Sequence, residues 1–145
     1  MKFLKMFQNK IALRYFIFGL ILFGVTIGIS LIDSADDVKV TFDTETVQVL
    51  SDRYTMTIAY QDIQQVTLAQ MPDAGTSVDG KDTVVLRYGV WNNDVWGEYH
   101  ICADLDATNC IVVKIQDGRT LVFSSKNNAN TESLYNELLT HVPAK

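Results

Sequence analysis

The chain has 145 residues, a formal net charge of −5 and 48% hydrophobic residues, a length that fits one domain with an appendage rather than two domains. Eight glycines and two prolines exclude collagen-like and low-complexity classes, and two cysteines are too few for a dense disulfide scaffold. The acidic balance excludes a general nucleic-acid binder, which needs basic surface to displace counterions from phosphates.

The averages conceal a split along the chain. Residues 1–14 form a basic tail carrying Lys2, Lys5, Lys10 and Arg14 and no acid, whereas residues 33–145 hold eight basic and all 17 acidic residues, a balance of −9. Between them, residues 15–32 run without a charge. Eighteen apolar residues are enough for a helix to cross the hydrocarbon core, and Tyr15 sits where an interfacial aromatic belongs. Positives before the run and Asp33, Asp36 and Asp37 after it predict a single membrane span with the N-terminus cytoplasmic and the C-terminal part extracytoplasmic. A cleavable signal peptide, cut after Ser30, is the competing reading; the apolar run is longer than a signal core and continues through Leu31 and Ile32. Gly24 and Gly28 make a small-xxx-small pair, a candidate helix-dimer face, although glycine is common in membrane helices anyway.

Residues 33–44 read as an acidic juxtamembrane linker. Beyond it the apolar pattern has a period of two. Val47 and Val49 share a face of a strand over 45–50; after a turn at Ser51, Asp52 and Arg53, the residues Tyr54, Met56, Ile58 and Tyr60 face one way. A short corner at Gln61, Asp62 and Ile63 leads to a strand holding Val66 and Leu68. Residues 72–82 read as a polar loop with two glycines. Strands follow over 83–88, with Val84, Leu86 and Tyr88 on one face, and over 98–102, separated by a turn flanked by Trp91 and Trp96. After a polar turn at 104–109, strands 111–115 and 119–123 form a hairpin around Asp117-Gly118. Leu134, Tyr135, Leu138, Leu139 and Val142 are spaced as one helical stripe, with Asn130 or Thr131 as cap, Glu132 complementing the dipole and Pro143 as the stop. The pattern predicts about seven strands followed by one amphipathic helix that lids a small sheet or barrel.

The segments TMTIAYQDIQQVTL, LRYGVWNNDVWGEYHI (with Arg87, Gly89, Gly97 and Tyr99) and NANTESLYNELL resemble the second-strand, corner, turn and closing-helix segments of the bacterial pleckstrin-homology-like domain family. The resemblance spans about residues 45–142. It implies a two-sheet barrel of about seven antiparallel strands with a C-terminal helix, at 45–145, behind a membrane helix. It transfers fold rather than activity. Phosphoinositide binding is not expected: the first hairpin holds one basic residue against one acid, and a domain at −9 repels anionic lipid.

Candidate chemistry is sparse. Cys102 and Cys110 flank a short turn near the facing ends of two strands and, in an oxidising compartment, are expected to form a disulfide; buried free thiols are the alternative, and a metal site with His100 lacks a fourth ligand. Asp104 to Asn109 looks faintly like a calcium loop but lacks its glycine and its closing glutamate. Trp91 and Trp96 are candidate contact aromatics, with core filling as the alternative. No nucleophile elbow, phosphate loop or His-Glu-x-x-His pattern occurs, His141 reads as a residue bordering the helical stripe, and neither a catalytic site nor a cofactor is expected. The reading is a membrane-anchored extracytoplasmic module that binds a protein or peptide; the alternative is a structural subunit of a membrane complex acting through its transmembrane helix.

Overall fold

A computed structural model of the chain describes residues 37–143, Asp52 excepted. The expected span at 15–32, the basic tail and the Gly24/Gly28 pair lie outside the described residues. Among the described residues no helix is long and apolar enough to cross a membrane.

The described part is mainly β: two sheets and one C-terminal helix. β1 (Lys39–Phe42), β2 (Thr46–Leu50) and β3 (Thr55–Ala59) form an antiparallel three-stranded sheet in that order. A 3-10 turn (Tyr60–Asp62) makes the expected corner. β4 (Ile63–Gln70), β5 (Thr76–Asp82), β6 (Leu86–Asn93), β7 (Gly97–Asp104), β8 (Asn109–Ile115) and β9 (Thr120–Phe123) form the larger sheet, ordered β4-β8-β9-β7-β6-β5. The helix, α1 (Asn128–His141), follows.

Three expectations are corrected. The described residues contain nine strands rather than seven. β1 lies in the stretch read as a linker: Val38 is buried, and Val40 and Phe42 pack against the core. β5 lies in the stretch read as a polar loop; it is an edge strand, exposed except at Gly80, so it shows no burial alternation to read. The sheets are also not wholly antiparallel. β9 pairs in parallel with β7 and antiparallel with β8, and so runs between them.

The larger sheet has two apolar faces. One carries Leu86, Cys102, Ile111, Val113, Leu121 and Phe123 and packs with Val47, Val49, Met56 and Ile58 of the small sheet and with Leu138 of α1. The other carries Trp91, Tyr99, Ile101, Ala103, Cys110, Val112 and Val122. β4 and β5 are the two edges, yet only residues 71–75 join them. Six steps of chain reach about 20 Å, whereas a flat six-stranded sheet is about 24 Å wide. Register adds to the mismatch. Gln70 pairs with Asn109 at one end of the strands, and Thr76 pairs with Asn92 at the other. The sheet must therefore twist and curl around its second face, which the connection crosses, with Met71 and Ala74 packed on that cluster.

Candidate functional site

The second face leads to the site. Trp91, placed in a turn by its neighbours Asn92 and Asn93, instead lies within β6. Its cross-strand partner is Tyr99, and only 8% of its surface is exposed. Its indole rests over Gly80 of β5, where a Cβ would fall 2.1 Å from Nε1. The Arg87 guanidinium stands 5.0 Å from the ring centre and is held by Asp82 through two hydrogen bonds of 2.7 and 2.9 Å. That pairing raises the Arg87 pKa. Trp91 is thus a core residue and not an exposed contact. Trp96 is half-buried, edge-on to Tyr99 with ring centres 5.0 Å apart.

The β6–β7 turn, residues 94–96, and the 71–75 connection approach one another and leave a groove of about 390 Å³ between them. Pro72, Asp73, Gly75, Asn92, Asp94 and Val95 are among its walls. Asn93 organises both sides. Its Nδ2 donates to the Asp73 carbonyl at 3.0 Å, while its Oδ1 accepts from the backbone N–H groups of Val95 and Trp96 at 3.1 and 2.8 Å. The Tyr99 hydroxyl donates to the Ala74 carbonyl at 2.9 Å, and burial raises its pKa. Asp73 Oδ1 accepts from the Gly75 N–H at 2.8 Å. Gly75 has φ +77°, and a Cβ there would meet the Asn92 carbonyl oxygen at 2.0 Å. The groove is therefore set by bonds within the chain before anything enters it. Val95, 65% exposed, projects from its rim. The lining residues include two carboxylates, Asp73 and Asp94, and no cation. The sequence signal for this place was the pair of tryptophans around Asn-Asn-Asp; the contribution of residues 71–75 had none, because it depends on the long-range closure of the sheet.

The other candidate residues lie elsewhere. Cys102 and Cys110 are free and buried. Cys102 is on β7 and Cys110 on β8, but β9 lies between those strands, and the two side chains belong to opposite faces of the sheet. The expected neighbouring strands do not exist, so the disulfide candidate is withdrawn. Burial pushes the Cys102 thiol up to about 11 and the Cys110 thiol up to about 12. His100 Nδ1 lies 2.9 Å from the Tyr54 hydroxyl, in hydrogen-bond distance. Asp104 ends β7 buried, its Oδ1 accepting from the Asp106 N–H at 3.0 Å. Among the described residues no three His, Cys, Asp or Glu side chains are grouped to hold a metal ion. His141, exposed at the end of α1, is sandwiched between Phe42 and Tyr60, ring centres 5.2 and 5.1 Å away.

The chain matches no protein-family model, and no significant similarity to a curated protein or to a solved structure is found.

Proposed function

We propose that the chain is a membrane-anchored module whose extracytoplasmic domain binds a protein or peptide. The observation that carries this reading is the groove between the 71–75 connection and the 94–96 turn. It is preformed, so binding there loses little conformational entropy. It also combines an apolar rim residue, Val95, with two carboxylates, Asp73 and Asp94, a mixture suited to a polypeptide carrying apolar and basic side chains. The split between a basic tail, an uncharged run at 15–32 and an acidic remainder supports the anchor and its direction. The finer reading of the fold, a pleckstrin-homology-like barrel, is supported by the two sheets, the 3-10 corner and the C-terminal helix; the parallel β7–β9 pair departs from it.

The test is affinity capture from solubilised envelopes with the domain and with its Val95→Glu and Asp94→Lys variants. A partner kept by the unaltered domain and lost by both variants is the expected result. A partner kept by all three removes the groove from the interface. A second reading, a structural subunit acting through its membrane helix, draws on the 15–32 run and on Gly24 and Gly28. It predicts a partner held by the full chain and lost when residues 1–36 are removed.

A further inference from the structure

The chain joins the folded domain at a defined pole. Val38 is 3% exposed and its carbonyl accepts from the Ser125 hydroxyl at 3.1 Å. Asp37 pairs with Lys126 at 3.2 Å. The neighbouring Ser124 hydroxyl donates to the carbonyl of Asp104, the last residue of β7. The β5–β6 and β7–β8 turns stand at the same pole, tied by a 2.8 Å bond from the Leu105 N–H to the Val85 carbonyl. Val84 is at the tip of the first turn, 96% exposed, the most exposed large apolar side chain among the described residues, with half-buried Val85 and Leu105 beside it.

Nothing in the fold requires Val84 to be apolar. The turn is held by Thr83, whose Oγ1 accepts from the Leu86 N–H at 2.9 Å, so a polar residue at the tip would serve equally. What the pole does have is a short tether. Four residues, 33–36, separate the end of the uncharged run from Asp37, and five steps of chain reach no more than roughly 18 Å. The groove is at the other end of β6, about 23 Å away along eight residues of strand.

We infer that the pole formed by Val84, Val85 and Leu105 rests against the lipid surface, with Val84 dipping into the interfacial layer and the 71–75/94–96 groove held on the far side. The inference rests on the membrane-anchor reading of residues 15–32. The interface it describes has no positive excess: Lys126 offsets Asp37, and Asp106 alongside leaves a net negative charge that keeps the pole from seeking anionic headgroups. One short apolar tip binds a bilayer weakly by itself, and the tether supplies the effective concentration that makes the contact persistent.

The experiment uses the full chain reconstituted in phosphatidylcholine vesicles, with a fluorophore on Val84→Cys or, separately, on Val95→Cys. The native thiols are buried and do not compete for the label. Retention in the vesicles after alkaline extraction tests the anchor. With retention established, a nitroxide carried on the lipid should quench the label at position 84 and leave the label at 95 bright, while a water-soluble quencher should do the reverse. Equal lipid quenching at both positions overturns the inferred orientation and leaves the anchor standing. A label at 84 shielded from both quenchers overturns it too, since a protein surface then covers the pole. Extraction from the vesicles overturns the anchor reading and this inference together.

Discussion

Asp104 is a carboxyl that the fold takes out of water. Burial raises its pKa, and the Asp106 N–H bonded to it offsets only part of the rise. An acid with a raised folded-state pKa binds its proton more tightly folded than unfolded, so it opposes folding as pH climbs from about 4 through the folded value. Asn keeps the accepting oxygen and removes the charge. Asp104→Asn is therefore expected to match or exceed the parent in stability at neutral pH, and to flatten the loss that sets in as pH climbs above about 4, in urea titrations from acid to neutral pH. The cysteines follow from the same physics. Thiols pushed to about 11 and about 12 carry almost no thiolate at pH 8. Iodoacetamide should leave Cys102 and Cys110 unmodified in folded protein and alkylate both once denatured, with no linked peptide in unreduced digests; a Cys102–Cys110 peptide would mean that β9 does not lie where it is placed. At Gly75 the constraint is backbone. Positive φ and the Asn92 carbonyl leave no room for a Cβ, and Gly75→Ala should cost roughly 2 kcal/mol or more by thermal melts, while loosening the groove.

Helix α1 separates two leucines that sequence spacing treats alike. Leu138 is fully buried against the core, whereas Leu139 is 44% exposed. Leu138→Ala should cost about 2–5 kcal/mol and Glu137→Ala within about 0.5, with Leu139→Ala close to the latter, all read from denaturant midpoints. The helix itself was legible from its 3.6 period and from Pro143, but its cap was not: Asn127, not Asn130 or Thr131, accepts the Asn130 N–H, and Thr131 is buried with its hydroxyl on the Asn127 carbonyl. Strands with one buried face, such as β2 and β3, were legible because their alternation records that burial. β5 was not. Its sequence, Thr-Ser-Val-Asp-Gly-Lys-Asp, is paired on one side only and exposed except at Gly80, so no apolar alternation marks it; backbone pairing, the Trp91 indole over Gly80 and the Asp82–Arg87 pair hold it to β6, and none of these shows as a pattern in the sequence. Val84, predicted to share a face with Leu86 and Tyr88, fell outside β6 because Thr83 and its bonds to Leu86 start the strand later.

At the scale of the whole molecule, the folded unit begins before the boundary read at residue 45. Val38 is buried, its carbonyl takes the Ser125 hydroxyl, and β1 covers an edge of β2. A chain starting at residue 37 is expected to unfold in one cooperative transition, whereas one starting at 45 should melt earlier or lose cooperativity, by calorimetry on the two truncations. Equal melting would make β1 an ornament of the small sheet. The mainly β class with a closing helix was legible from strand count and helix position, whereas the division into two sheets was implied only by the family resemblance. Their connectivity was not, because adjacent turns suggested adjacent strands and β9 breaks that rule.

β9 has a further consequence, in time rather than in space. It is the last strand made, yet it holds the middle of the larger sheet: without it, β4 and β8 form one ribbon and β5, β6 and β7 another, each with a bare edge. A chain emerging from N to C, whether from the ribosome or across a membrane, therefore carries two half-sheets until residues 120–123 are free, and only then can the halves join. Val122 and Phe123, both fully buried, are the side chains that complete both faces at once. Synthesis paused just before them leaves open strand edges for chaperones or stray strands to occupy. The domain is thus expected to resist protease only after the segment through α1 has cleared the machinery that delivers it.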